Sequence, residues 1–346
     1  TPYTGDKTEL NNFGVPGILL GQVLTPLTGG PSTDNPAYNP LYARFATNPG
    51  TSTIIGDATA KNPTFFSFWL GNNDVLGYAT TGGSGAIGLT DPETFEFQYS
   101  TAITTLLAVN ANTKGIVATI PDVTTIPFFT TVKYNSIPLD QGTANALNAG
   151  FAGFNAVLDA IKGNPTLMGA FGLNADDIEG RKVMYAAGTS NKILIVDEDL
   201  TDLGATFDYL RSIDQITAEQ RTALAPFEQV RQTRATDIVC LTAGGILGTL
   251  VGGNPQLVNG LSVPLADQYI LIPSEINAIK ARTEEFNEII STTVNNNTTR
   301  LALADMNAEF TKVVTGVVRS VDGVPVSATF IPPYGIFSED GVHPNN

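Results

Sequence analysis

The sequence predicts an α/β fold on a parallel sheet, and three stretches predict it. Residues 64–70, Thr-Phe-Phe-Ser-Phe-Trp-Leu, are a short apolar, aromatic run ending at Gly71, which reads as a buried strand. Asp91-Pro92-Glu93 is a helix start: a capping side chain, a proline at the first helical position, then an acid in the first turn. Residues 115–120, Gly-Ile-Val-Ala-Thr-Ile, read as a second strand closed by Pro121. Strand, helix and strand, with Gly and Pro at the strand ends, make a parallel α/β unit.

Residues 1–62 read mostly as loop, rich in Gly, Pro, Asn and Thr, with an apolar patch at 13–20. Phe95, Tyr99, Ile103 and Leu106 carry the helix that starts at Asp91. Leu147, Phe151, Phe154, Leu158 and Ile161 predict a second strong helix whose stripe faces a core. Residues 192–196 predict a strand, followed by the acidic run Asp197-Glu198-Asp199. The stretch 197–202 lacks the Gly-centred spacing of an EF-hand loop and reads as a solvated turn, not a calcium site. Thr217 and Gln220 form a capping box, predicting a helix toward Arg234. Ile276, Ile279, Thr283, Phe286 and Ile290 mark a helix begun at Pro273-Ser274. Residues 295–299 are a polar turn, and residues 301–305 a late strand.

Composition narrows the function classes. Asp and Glu number 33 against 18 Lys and Arg, a net charge of −15. Such a surface repels phosphate backbones, so nucleic acid and anionic membrane are disfavoured partners. Cys240 is the single cysteine and His343 the single histidine, which excludes an internal disulfide and a zinc site of the usual kind. No apolar run is long enough for a transmembrane segment, and no signal peptide is present.

Three motifs bear chemistry. The first is Asp340-Gly341-Val342-His343-Pro344. An Asp-x-x-His spacing lets the carboxylate fold back on one ring nitrogen and leaves the other free, the base-plus-orienter half of a nucleophilic triad. The second, Gly71-Asn72-Asn73-Asp74, follows a strand and sets an amide at the carboxyl edge of a sheet, where it can donate to an oxyanion. The third, Asn12-Phe13-Gly14-Val15-Pro16-Gly17, ends in a glycine whose backbone N–H can approach a ligand closely.

In this order, Asn-x-x-x-x-Gly, Gly-x-Asn-Asp after an aromatic strand, and a distal Asp-x-x-His-Pro, the chain resembles the SGNH/GDSL hydrolases. The likeness runs from about Asn12 to Asn345, and the large Bacteroidetes-type members are the nearest in style. It implies a three-layer α/β/α sandwich on a flavodoxin-like parallel sheet. It also implies a serine esterase or lipase working through an acyl-enzyme without metal or organic cofactor. Gly17 and Asn73 match the oxyanion-hole donors, and Asp340 and His343 match the triad acid and base. The implied substrate is a small-molecule, lipid or carbohydrate ester, and the implied location is extracytoplasmic.

The chain departs from that pattern in one respect that matters. The family's nucleophile lies in a Gly-Asp-Ser upstream of the Gly17 block, and this sequence contains none. Gly5-Asp6-Lys7 and Gly56-Asp57-Ala58 lack the hydroxyl and read as turns. The expectation is a single domain lacking its N-terminal strand and C-terminal helix, with the missing N-terminal segment supplied from upstream of Thr1 or by a cleaved or neighbouring segment. Residues 134–261 are expected to form a largely helical insertion or lid. The rival reading is a non-catalytic glycan- or lipid-binding protein on the same fold.

Overall fold

The computed structural model describes residues 3, 5–85, 88–316, 320–321 and 324–345. It is mixed α/β, and the chain divides into two compact units. The first comprises Thr1–Ala79, Ala86–Thr125 and Asn277–Ile336. The second comprises Thr80–Gly85, Ile126–Ile276 and Phe337–Asn346. Among the described residues no helix is long and apolar enough to cross a membrane.

The first unit is built on a three-stranded parallel sheet in the order Phe65–Phe68, Lys114–Ala118, Leu301–Ala304. The register places Phe66 opposite Gly115, and Gly115 opposite Leu301. The Phe66 ring covers Gly115, where a β-carbon would stand 2.4 Å from its tip. The helix Pro92–Ala108 is capped by Asp91, which accepts from the N–H groups of Glu93 and Thr94. Its Phe95 and Tyr99 pack on the sheet's inner face, Tyr99 edge-on to Phe68 at 5.4 Å and Phe95 stacked on Phe286 at 3.7 Å. Phe286 comes from the long helix Pro273–Asn295, whose Asn287 side chain clamps both backbone groups of Ile120 at 2.7 and 2.8 Å.

The first strand is half-buried rather than buried. Phe66 and Phe68 point inward, whereas Phe65 is 57% and Ile116 40% exposed. Ser67, Lys114 and Ala302 share that open face and are also exposed. Period-two alternation in a strand dictates this split, and the run of aromatics concealed it because Phe65 is as apolar as Phe66.

The second unit packs helices against short antiparallel pairs: Ile137–Leu139 with Gly188–Asn191, Leu194–Val196 with Val230–Gln232, and Ile238–Val239 with Ile270–Leu271. The helix Gln141–Lys162 buries Phe151, Phe154, Leu158 and Ile161 against Ile193, Leu194, Phe207 and Val230. Its Asn148 and Asn155, seven residues apart on one face, each bond an N–H and a C=O of the extended backbone at Tyr185 and Val183. Those side chains take the place of a neighbouring strand.

Three local readings are corrected. The helix capped by Thr217 spans only Ala218–Leu224, because Pro226 cannot donate to the helical ladder. A 3₁₀ turn, Ala225–Phe227, and the strand Val230–Gln232 follow it. The acidic run is not a solvated turn throughout: Asp197 is 3% exposed, paired with the fully buried Arg231, which also grips Asp237 through two bonds. Gly56-Asp57-Ala58 is no turn but part of the helix Ile54–Thr59, and Asp57 is buried where it accepts from the Tyr42 hydroxyl and the Thr47 N–H, both at 2.9 Å.

Candidate functional site

The first unit brings Gly17 and Asn73 together. The segment after the first strand turns at Gly71 and enters the helix Asn73–Ala79, so Asn73 stands at a strand end and a helix start. Its Nδ2 donates to the carbonyl of Ile18, the residue after Gly17, at 2.9 Å. Asp74 completes the junction by accepting from the Leu20 N–H and the Thr90 hydroxyl, each at 2.9 Å. Burial pushes the Asp74 carboxyl up, against the pull of those bonds. Gly17 has φ +71°, a left-handed conformation that a side chain resists, and its exposed N–H has no partner among the described residues. Asn73 carries a second amide N–H beyond the one given to Ile18. Asn73, just past the end of the first strand, thus meets the segment that carries Gly17.

The second unit holds Asp340 and His343. His343 Nδ1 lies 2.7 Å from Asp340 Oδ2. Asp340 Oδ1 accepts from the Ser338 hydroxyl at 2.6 Å, the Val342 N–H at 2.9 Å and the His343 N–H at 3.0 Å. Slight burial opposes it, but these bonds from Ser338, His343 and Val342 hold the carboxyl well below the usual carboxylate range. Asp340 is therefore an ion at any ordinary pH and an acceptor at Nδ1, so a neutral His343 presents an unprotonated Nε2. Nε2 makes no hydrogen bond among the described residues, and the ring is largely exposed.

The loop is anchored to its own unit. Phe337 is 3% exposed, and it bridges Pro344 across the turn. Phe128 N–H donates to the Gly341 carbonyl at 3.0 Å. Gly341 has φ +71°, and a β-carbon there would sit 2.8 Å from the Phe128 nitrogen, so this position accepts only glycine without a shift of the loop.

Cys240 is buried, and burial, with Glu275 nearby, pushes its thiol up to about 12, which removes it as a nucleophile. Glu198, Asp267 and Glu275 bring carboxylate oxygens within 4.8 Å of one another in the second unit. Sequence reasoning missed this group because its members lie 69 and 8 positions apart and share no motif. The second unit also holds a cavity of about 790 Å³ beside Val157, Leu167, Phe171, Tyr209 and Leu210. No charged side chain lines it.

Compared with known proteins, the chain matches no family model, no curated protein and no solved structure.

Proposed function

We propose that this chain supplies the acid–base and oxyanion groups of a serine ester hydrolase of the SGNH/GDSL type. The observation that carries the reading is the 2.7 Å bond between His343 Nδ1 and an Asp340 carboxylate held by three further donors. That arrangement is an oriented general base. The partnering of Asn73 with the Gly17 segment adds a pair of oxyanion donors. The sequence has no Gly-Asp-Ser, so the nucleophilic serine is assigned to a segment outside these 346 residues, and the wider three-layer sandwich belongs to the same proposal.

The reaction then runs in two halves. The serine Oγ attacks the ester carbonyl carbon as its proton passes to His343 Nε2. Asp340 stabilises the imidazolium while N–H donors hold the oxyanion. The imidazolium returns its proton to the departing alkoxide, leaving an acyl-enzyme. Water attacks the acyl carbon, His343 takes the water's proton, and the carboxylic acid leaves as serine recovers its hydrogen.

The test is hydrolysis of 4-nitrophenyl butyrate by the polypeptide as its gene encodes it. His343→Ala is expected to lower kcat by about 10³-fold or more. Near-wild-type turnover by that variant would sink the assignment. The missing Gly-Asp-Ser favours a second reading, a glycan or lipid binder without chemistry. Saturable ester binding with no turnover, in a polypeptide that has no serine nucleophile, would establish it.

A further inference from the structure

The dyad is exposed: the His343 and Asp340 side chains keep 66% and 50% of their accessible surface. Packing therefore cannot hold their rotamers, and hydrogen bonds must. A carboxylate turns easily about its last torsion, whose energy wells are broad. Two of the three donors on Asp340 Oδ1 are backbone N–H groups of the turn itself, Val342 and His343. The third is a side chain, Ser338, whose hydroxyl gives the shortest of the three bonds at 2.6 Å. Ser338 also closes the loop through its backbone. Its N–H donates to the His343 carbonyl at 2.8 Å, and its carbonyl accepts from the Gly341 N–H at 2.9 Å.

We infer that Ser338 is the positioning residue of the dyad, setting the Asp340 carboxylate so that Oδ2 selects the Nδ1–H tautomer of His343. The inference rests on the reading of His343 as a general base. A histidine side chain free in water favours the opposite tautomer, with the proton on Nε2. In that form the ring's exposed nitrogen is a donor and cannot accept a serine proton. The Ser338 hydroxyl is itself no nucleophile in this arrangement, because its proton goes to the carboxylate and it makes no bond to the imidazole.

With one histidine in the chain, long-range proton–nitrogen NMR of the 346-residue protein reads the tautomer without ambiguity. At a pH where the ring is neutral, the wild type is expected as Nδ1–H. Ser338→Ala should populate the Nε2–H form measurably, with amide dispersion elsewhere unchanged, and Ser338→Thr should restore the wild-type spectrum. In the hydrolytic polypeptide, Ser338→Ala should lower kcat about tenfold with KM unchanged, about 1.4 kcal/mol. A Ser338→Ala protein that stays folded and keeps the wild-type tautomer overturns the inference. If Ser338→Ala loses the loop, an unrestored spectrum in Ser338→Thr overturns it as well. A shifted tautomer in a protein without His343-dependent turnover would leave the Ser338 assignment standing and remove the esterase reading instead.

Discussion

Burial and hydrogen bonding act in opposite directions on two carboxyl groups of the second unit. Asp340 is exposed and donor-rich, so its charge is stabilised. Glu275 is 6% exposed with one backbone donor, Ile272 N–H at 2.9 Å. Burial, with the charges of Glu198, Asp267 and Asp199, raises it to about 8, and burial with Glu198 raises Asp267 to about 6. Both bind protons more readily folded than unfolded. The stability they contribute is therefore complete below the ordinary carboxylate range and is lost as pH rises through about 6 and then about 8. Thermal unfolding followed from pH 5 to 9 should show Tm falling with pH, and Glu275→Gln should flatten the upper part of that slope by an amount on the order of a few kcal/mol at Tm. Parallel slopes for the two proteins would contradict this.

At the scale of elements, caps and periodicity were legible and long-range pairings were not. Asp91-Pro92, the Phe151–Ile161 stripe and the Thr217–Gln220 box announce helices because each signal is local. The stop at Leu224 was equally local, in Pro226, but the reading from the capping box toward Arg234 ran past it. Arg231 and Asp197 lie 34 residues apart, so nothing near Asp197 tells that its charge is paired and buried. The asparagine clamps are invisible for the same reason: Asn148 and Asn155 read as the polar face of a helix until the backbone they bind is in place. The orientation of the first strand is the sharpest of these cases, and it can be measured. Phe66→Ala should cost about 3–5 kcal/mol in urea unfolding, since it uncovers Gly115 and empties the inner face. Phe65→Ala on the open face should cost less than about 1 kcal/mol. Equal losses would show that the strand's faces are assigned wrongly.

At the scale of the whole molecule, the motif order along the chain is the strongest sign of function, and the fold divides the motifs between two units. Gly17 and Asn73 belong to the first, Asp340 and His343 to the second. The Asp-x-x-His spacing was enough to foresee the Asp340–His343 bond, because that motif closes on itself in a turn of that length. The approach of Asn73 to the segment after Gly17 spans 55 residues and no local spacing announces it. Ser338 was passed over because a serine beside two acids carries no signal until its hydroxyl is seen on Asp340. His343, oriented by Asp340, is proposed as the general base of ester hydrolysis. A double-mutant cycle on ester hydrolysis by the polypeptide as its gene encodes it tests this most directly, with Asp340→Ala, His343→Ala and the combination. Residues that act on one transition state lose less together than the sum of their separate losses. Asp340→Ala alone should lower kcat by about 10³–10⁴-fold, and adding it to His343→Ala should cost far less than that. Full additivity, or an Asp340→Ala protein with unchanged kcat, would contradict the assignment.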